Sequence, residues 1–274
     1  MKTASPLSYF GSDAKVANRI GGYFDSCSHV TIACVGGASI LPHLGATRIV
    51  CNDTNEFAIN FYECVAGLHG ERTKLDLIDC CENTLSHPAH LKKAADRLTS
   101  VLAIDQAWAY WALCWLGRGG QGGTKKIADQ KKTSFRMTPS GGSNASRLRS
   151  AAEDLTEWAK HFERCEFSCL DICELLPKVK FGNSNCGLYI DLPWIEEGDA
   201  YLEACDEQTH RDVSSVLFER SQSDGARILA RYGDHSLIRE LYRDADWTIT
   251  PIESRNQGNN AVKEIWITNY EVQS

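Results

Sequence analysis

The sequence predicts an α/β fold, a mostly parallel sheet with helices on both of its faces. Short apolar segments rich in β-branched and aromatic residues recur along the chain and alternate with segments of helical periodicity. Several of the apolar segments end at glycine or at an acidic residue, which is typical of the carboxyl ends of parallel strands. With 274 residues, 43% of them hydrophobic and 24% charged, the chain can form one large domain that carries an insertion.

The first elements resemble the start of a nucleotide-binding fold. Residues 5–25 predict a turn that leads into a helix, and His29 to Cys34 predict a strand that Ile40 and Leu41 continue after a break. The small-residue turn Val35 to Ser39 follows, and a strand, a glycine turn and a helix start together let a ligand approach backbone amides. A second predicted strand, Arg48 to Asp53, ends in an acid at the position where doubly wound folds bind ribose hydroxyls. The glycine turn and the acid together favour a cofactor that contains adenosine.

The remaining elements follow from the same patterns. Asn55 to Gly67 predicts a helix, and residues 75–116 are helical in pattern with a stripe of Trp108, Tyr110, Trp111 and Trp115. We interpret this stripe as core in preference to a stacking platform. Further along the chain the patterns predict a helix (Arg147 to Phe162), a strand that ends at an acid (Phe167 to Ile172, with Asp171), a strand (Leu188 to Ile190), a helix (Arg211 to Arg220), a strand (Arg227 to Tyr232), a helix (Leu237 to Tyr242) and two last strands (Trp247 to Ile252 and Lys263 to Tyr270).

The stretch Gly187 to Trp194 carries the clearest chemistry. Its strand delivers Asp191 into a turn that Pro193 stiffens and that Trp194 overhangs. An aspartate can accept a hydrogen bond from an amino group, and an indole can stack on a flat ring. These residues therefore predict a site for a flat ring that bears an amino group. An ordinary strand-to-loop turn with an N-cap aspartate is the alternative.

The charges are distributed unevenly. The chain has a net charge of −7, but the window from Arg118 to Arg149 contains eight basic residues and only Asp129 as an acid. This window carries +7 and the remainder of the chain −14. An acidic body with one basic segment could place a polyanion on one face, and a solvated loop is the alternative reading. Residues 117–146 lack periodicity and predict a long loop or small subdomain.

Composition also bears on compartment and metals. No apolar run approaches the roughly 20 residues that cross a bilayer, and the first residues lack the apolar segment of a signal peptide. The twelve cysteines are scattered without a CxxC pair, so we expect reduced thiols in a cytoplasmic protein without a structural metal. Cys165, Cys169 and Cys173 have a spacing that a metal cluster could use, but their apolar surroundings favour buried small side chains.

With these segments in order, the chain resembles the Dam-like class of adenine-specific DNA methyltransferases, in particular the short versions common in phages and prophages. Six stretches carry the resemblance: Ser8 to Ser12 is similar to the N-terminal cofactor segment, Val35 to Ser39 to the glycine motif, Cys51 to Asn55 to the ribose-binding motif, Ser140 to Ser150 to a segment that precedes the family's long helix, Asp191 to Trp194 to the Asp-Pro-Pro-Tyr tetrad, and Glu264 to Tyr270 to the closing strand. Tyr201 and His210 lie at the expected distance downstream of the tetrad.

The resemblance implies a Rossmann-like methyltransferase fold that uses S-adenosylmethionine. Residues 1–70 and 150–274 would form the catalytic domain, and residues 71–149 an inserted, helical and basic DNA-recognition region. It implies cofactor contacts from Tyr9, Gly11, Asp13, Cys34, Gly36, Gly37, Asp53 and Asp171. The tetrad Asp191, Leu192, Pro193 and Trp194 would hold the target adenine. DNA contacts would come from Arg118, Lys125, Lys126, Lys131, Lys132, Arg136, Arg147 and Arg149.

The expected function is transfer of a methyl group from S-adenosylmethionine to the N6 amino group of adenine in double-stranded DNA, by a monomer without membrane contact. Asp13 stands where the family has lysine, Cys34 stands in place of an aromatic, and Leu192 replaces the first proline of the tetrad. The backbone carbonyl at Leu192 survives that change, and Pro193 keeps it extended. The departures favour one alternative, a decayed relative that binds DNA without catalysis. The same chemistry on RNA or protein is another.

Overall fold

The computed structural model describes residues 5–118, 122–128, 134–137, 143–179, 185–195, 205–255 and 261–271. The chain forms two compact units. Unit 1 comprises Met1–Ala17, Gly36–Pro42 and Asn55–Phe167, and unit 2 comprises Asn18–Val35, His43–Thr54 and Ser168–Ser274. The division into a catalytic domain and an inserted DNA-recognition region is a functional one and stays a prediction.

The described residues form a seven-stranded, mostly parallel sheet, as the sequence predicted. Its strands are β1 (His29–Ile32), β2 (Arg48–Asn52), β3 (Cys165–Ser168), β4 (Cys186–Ile190), β5 (Arg227–Gly233), β6 (Thr248–Arg255) and β7 (Ala261–Thr268). The strand order is β3-β2-β1-β4-β5-β7-β6. Strand β1 pairs in parallel with β2 and β4, and β4 pairs in parallel with β5. Strand β7 is antiparallel to both of its neighbours, β5 and β6.

Unit 1 is helical in the part of the chain described. Its helices are α2 (Glu56–Ala66), α3 (Glu71–Glu82), α4 (Pro88–Arg97), α5 (Ala103–Leu116), α6 (Lys125–Ala128), α7 (Asn144–Glu153) and α8 (Leu155–Phe162). The predicted helix over Asn55 to Gly67 is confirmed as α2. The Asn55 side chain accepts a hydrogen bond from the amide of Ala58, and Gly67 ends the helix at a φ of 81° in the left-handed region. Local cap chemistry therefore fixes both ends.

The aromatic stripe of α5 is core, as predicted. Trp108, Tyr110 and Trp111 are buried, and Trp115 is partly exposed. Tyr110 stacks on Phe57 of α2, and the Trp108 indole donates a hydrogen bond to Thr84. These contacts join α5 to the helices around it, so the stripe serves packing within unit 1.

Unit 2 holds the strands β1, β2 and β4 to β7, of β3 only its last residue, and the remaining helices: α1 (Ala17–Gly22, whose first residue belongs to unit 1), α9 (Ile172–Leu175), α10 (Glu207–Asp224) and α11 (Ser236–Leu241). Its core is built from β4, β5 and β7 together with side chains of α9, α10 and α11. All twelve cysteines are free thiols. None of the helices in the described parts of the chain combines the length and apolar character that crossing a membrane requires.

Four local predictions were wrong. The first strand does not continue at Ile40 and Leu41, because the chain after the glycine turn forms one turn of 3-10 helix, Leu41–His43. The helix predicted over 147–162 is two helices, because the chain breaks at Asp154, which caps both of them. The strand predicted to end at Asp171 ends at Ser168. His210 lies inside α10, which begins early because the side chain of Asp206 caps its first turn.

The prediction that Cys165, Cys169 and Cys173 are all buried was also wrong. Cys165 is buried, whereas Cys169 and Cys173 are exposed. The apolar stretch was read as one element, but the chain leaves β3 at Ser168 and Cys173 sits in the first turn of α9. The three cysteines therefore do not share one environment.

Candidate active site

Four predicted site residues of unit 2 come close to one another. Because β1, β2 and β4 are parallel, the residues that follow them lie at one edge of the sheet. Cys34 follows β1, Asp53 follows β2 and Asp191 follows β4. Burial raises the pKa of the Cys34 thiol well above its usual value, and the carboxylates of Asp53, Asp191 and Asp171 raise it further. Three acids therefore lie within electrostatic reach of one thiol.

Asn52 fixes the backbone around this edge. Its amide nitrogen donates to the carbonyl oxygens of Ala33 (3.0 Å) and Leu170 (2.9 Å). Its side-chain oxygen accepts from the Ser168 hydroxyl (2.7 Å) and from the amide of Leu170 (3.0 Å). These four bonds tie the segment after β3 to the ends of β1 and β2. Asp53, the next residue, is therefore held in a buried position on a rigid base.

Asp171 has a different local role from the one predicted. It is exposed, and its Oδ1 accepts a hydrogen bond from the amide of Cys173 at 2.8 Å. This bond caps the first turn of α9. The strand-end position expected for Asp171 is not the one it holds, although its charge still reaches Cys34.

The tetrad residues divide between core and surface. Leu192 is buried in the core of unit 2, with only 3% of its surface exposed. Its side chain therefore anchors the turn from within, which restrains the backbone where the sequence lacks a proline. Pro193 and Trp194 are partly exposed. The indole of Trp194 packs on Gly233, where an added Cβ would lie 2.9 Å from Cε3 of the indole.

The sequence analysis missed Arg231, which is central to this site. Its Nη1 donates to Oδ2 of Asp191 at 2.9 Å. Its Nε and Nη2 donate to Oε2 and Oε1 of Glu264 at 2.9 and 2.7 Å, a bidentate pair. The centre of the guanidinium lies 5.4 Å from the centroid of the Trp194 ring. Arg231 thus contacts both the carboxylate and the indole that we expected to hold the target ring. The sequence signal for this pair was an arginine inside one mostly apolar strand segment, Arg227 to Tyr232, and a glutamate inside another, Lys263 to Tyr270.

The charges of this network act on each other in a definite direction. Burial raises the pKa of the Asp191 carboxyl; Arg231 opposes this, and the charge of Glu264 adds to it, with a raised pKa as the net result. Burial also acts to raise the pKa of Glu264, but hydrogen bonds from Arg231 and the guanidinium charge outweigh it and lower that pKa. Glu264 accepts two of the three hydrogen bonds from Arg231, and Asp191 accepts the third.

His210 is fully buried in unit 2. Neither ring nitrogen has a hydrogen-bond partner among the described residues. The ring meets Tyr232 edge-on, with centroids 5.7 Å apart. Burial lowers the pKa of His210, and the nearby His235 lowers it further, while Asp206 opposes both. The residue is therefore neutral and belongs to the core at ordinary pH. Tyr201, which the resemblance placed beside it, lies outside the described residues.

Unit 1 brings together Tyr9 and the two predicted glycines. Added Cβ atoms at Gly36 and Gly37 would lie 3.5 and 3.1 Å from Tyr9 atoms. At Gly123 an added Cβ would lie 2.5 Å from the ring. Tyr9 is buried, and Asn55 donates hydrogen bonds to the hydroxyls of Tyr9 (3.3 Å) and Tyr110 (2.8 Å). The ring of Tyr9 thus packs within unit 1, and its predicted cofactor contact stays a prediction.

The remaining N-terminal predictions lie near the same turn. Gly11 is exposed with a φ of 70°, which the left-handed region allows glycine. Asp13 is partly exposed, and its carbonyl accepts from the amide of Val16. The hydroxyls of Ser12 and Ser39 share a hydrogen bond at 2.9 Å, which joins this segment to the glycine turn. Their predicted part in cofactor binding is likewise not tested.

The structure describes part of the basic window from Arg118 to Arg149. Arg118, Lys125, Arg147 and Arg149 are exposed, and Arg136 is partly buried. Burial lowers the pKa of Arg136, and the neighbouring positive charge of Arg147 lowers it further. Two like charges held close together suit an anion, since an anion relieves their repulsion. Lys126 lies in α6. Lys131 and Lys132 lie outside the described residues.

Comparison with family models and curated proteins does not assign the chain to a family. No family model matches the chain, and a search of curated proteins finds no match. Within the described residues no group of three or more His, Cys, Asp or Glu side chains is arranged to hold a metal ion. The chemistry of the site must therefore be inferred from its own geometry.

Proposed function

We propose that this protein transfers a methyl group from S-adenosylmethionine to the N6 amino group of adenine in DNA. The observation that carries the proposal is the position of Asp191, which follows the central strand β4 with the indole of Trp194 beside it. A carboxylate that accepts hydrogen bonds and an aromatic face together suit a flat ring that bears an amino group.

The acids of unit 2 fit the cofactor that the resemblance implies. Asp53 is buried at the end of β2, the position from which an acid accepts hydrogen bonds from ribose hydroxyls. Asp171 and Asp191 add negative charge around Cys34, which favours a positively charged sulfonium. S-adenosylmethionine supplies an electrophilic methyl group when it is bound. Asp53 would hold its ribose in this proposal.

The chain's own residues would act on the nucleophile. An adenine amino group is a poor nucleophile because its lone pair is delocalised into the ring. Hydrogen bonds accepted by Asp191 and by the backbone carbonyl of Leu192 would favour a pyramidal nitrogen whose lone pair points at the methyl group. The buried Leu192 side chain restrains that carbonyl from the core side, and Pro193 restrains it from the next position.

DNA binding is the second part of the proposal. The exposed arginines of unit 1 and Lys125 would contact phosphates. A target base must leave the duplex to reach a carboxylate at a strand end, at a cost of a few kcal/mol that stacking and phosphate contacts offset. If about five basic residues reach phosphates, the logarithm of the binding constant falls with the logarithm of salt at a slope of roughly −4 to −5.

A DNA-binding protein without catalysis is the second candidate, and one observation favours it. The guanidinium of Arg231 contacts both Asp191 and Trp194, the two groups that the target base would need. In a decayed relative this contact would persist and no base would displace it.

Two measurements separate these functions. Titration calorimetry with S-adenosylmethionine tests the cofactor site, and transfer of tritiated methyl to genomic DNA that lacks N6-methyladenine, followed by nucleoside analysis, tests the reaction. Asp191→Ala should reduce transfer on the order of 100- to 1000-fold. The fold should survive, because Arg231 and Glu264 remain as a balanced pair. Asp244→Ala, an exposed aspartate of unit 2, is the matched control. Cofactor binding and DNA binding without transfer would establish the second candidate.

A further inference from the structure

A polar network runs across four neighbouring strands of unit 2. Asp191 follows β4, Arg231 lies on β5, Glu264 on β7 and Ser254 on β6, in the order in which these strands pair. Arg231 joins Asp191 to Glu264, and the Ser254 hydroxyl donates to Oε1 of Glu264. The indole of Trp266 donates to the other oxygen of Glu264 at 3.5 Å. The network therefore begins at the far edge strand and ends at the candidate site.

Exposure along this network increases toward Asp191. The side chains of Glu264, Arg231 and Asp191 are 3%, 9% and 17% exposed. Glu264 has both oxygens engaged by Arg231, whereas Asp191 receives a hydrogen bond from Arg231 on Oδ2 alone. The buried end is saturated with hydrogen bonds, whereas the more exposed end accepts one from Arg231 and one from the Trp194 side chain and so keeps part of its acceptor capacity.

Stability alone does not explain this arrangement. Removing charged groups from water is costly, and apolar side chains of similar volume often stabilise a core as well or better. The residues that flank Arg231 and Glu264, Ala230, Tyr232 and Ile265, belong to the apolar core on the opposite face of the sheet, so both strands already bury apolar side chains there. One guanidinium serves two carboxylates, so the trio keeps a net negative charge when both acids are ionised. That excess charge lies nearest the surface at Asp191.

We propose that Arg231 and Glu264 are positioning residues, which fix the carboxylate of Asp191 as the acceptor for the target amino group. Arg231 sets the orientation of the carboxylate through Oδ2, and the Asp191 oxygens retain acceptor capacity for the substrate beyond their bonds from Arg231 and from the Trp194 side chain. Glu264 holds Arg231 by two bonds and so fixes its position from β7. The inference rests on the proposed function, since Asp191 must be the acceptor for it to hold.

The groups that act on Asp191 can be named from each neighbouring element. Arg231 faces it from β5 and Glu264 from β7. On the side of β1 the Cys34 thiol lies within electrostatic reach, and Asp53, Asp171 and Cys205 act on the same thiol. Of these groups, Glu264 raises the pKa of Asp191 and Arg231 lowers it. Neutralising Glu264 should therefore leave Asp191 a weaker base.

The experiment measures single-turnover methyl transfer to DNA as a function of pH, with enzyme in excess. Glu264→Gln keeps the shape of Glu264 and removes its charge. It should lower the rate constant roughly 10- to 100-fold, because Asp191 is misaligned and less basic. The acidic limb of its pH profile should move to lower pH, while the dissociation constant for S-adenosylmethionine stays within about twofold. Arg231→Lys, which retains the positive charge and an ammonium donor group, should lose less than Arg231→Met.

Two further variants keep the test decisive. Ser254→Ala, on β6, removes a single hydrogen bond to Glu264 and should fold. We expect its rate constant to fall roughly threefold with unchanged cofactor affinity. Glu253→Gln makes the same chemical change as Glu264→Gln at the neighbouring exposed position of β6 and should change nothing. Normal rates and an unshifted pH profile in Ser254→Ala and in a folded Glu264→Gln would overturn the inference and leave the proposed function standing. A wild-type protein without transfer to any DNA would overturn both.

Discussion

Replacing Arg231 by methionine tests the buried network independently of any reaction. Methionine keeps most of the side-chain volume and removes all three hydrogen bonds to Asp191 and Glu264. Glu264 would then be left with 3% exposure and without its counter-ion. Breaking a buried ion pair by removing one partner costs about 3–5 kcal/mol, so the free energy of unfolding of this variant should fall by that amount at pH 7.

The loss in free energy of unfolding of Arg231→Met should become smaller as the pH falls, because of the pKa of Glu264. In the wild type its pKa is lowered, so its contribution to stability is present above the unfolded pKa of about 4.3 and is lost below it. Without Arg231, burial would raise the pKa of Glu264 above that value. The folded variant would then bind a proton more readily than the unfolded chain. Its deficit relative to the wild type should therefore decrease between pH 7 and pH 5.

Urea unfolding followed by circular dichroism at pH 7 and pH 5 measures both effects. With a denaturant slope of about 1–3 kcal/mol per molar, the loss corresponds to a midpoint lower by at least roughly 1 M at pH 7. Arg239→Met is the matched control, because Arg239 also forms a double contact with an acid of unit 2, Asp234, but is exposed. An exposed pair contributes about 0–1 kcal/mol. A deficit below about 1 kcal/mol in Arg231→Met, or one that does not depend on pH, would refute the reasoning.

Three other predictions follow from single contacts. Gly233→Ala would place a Cβ 2.9 Å from the indole of Trp194, so the indole must move by about half an ångström, and single-turnover transfer should fall roughly tenfold with unchanged cofactor affinity. The pKa of the buried His210 is lowered, so the unfolded chain binds a proton there more readily and the wild type loses stability as the pH falls below about 6.5. His210→Phe removes this group, so the urea midpoint of the variant should decline less between pH 7 and pH 5 than that of the wild type. Arg147→Ala should weaken DNA binding uniformly across sequences and reduce the salt slope by about 1, which filter binding at several salt concentrations measures; Arg211→Ala, an exposed arginine of unit 2, should leave the slope unchanged.

The sequence was sufficient for the features that depend on neighbouring residues. Helix α2 could be predicted because Asn55 and Gly67 cap it locally. Strand β4 and the turn after it could be predicted because Asp191 and Pro193 interrupt an apolar run. The placement of Cys34 and Asp53 at one edge followed from parallel strands alone.

The network around Asp191 could not be predicted because it depends on strand pairing. Arg231 and Glu264 are 33 residues apart and meet only because β7 inserts antiparallel between β5 and β6. No local pattern fixes that order. At Asp206 a side-chain cap starts α10 before the position that periodicity indicates. Periodicity likewise left open the break between α7 and α8 at Asp154.

The position of Arg231 bears on which of the two proposed functions holds. Its guanidinium is planar, donates an N–H hydrogen bond to Asp191 and lies over the indole of Trp194. A bound adenine would make the same two kinds of contact. A side chain held by Asp191 alone would have to leave before a base could bind. Arg231 is held by two bonds to Glu264 and by one to Asp191, so its place is set from β7. Asp191 also accepts a hydrogen bond from the Trp194 side chain, but its two oxygens offer about four acceptor positions, so it can take a new donor while Arg231 stays where it is. The contact that suggests decay is therefore also the contact that would orient a working acceptor.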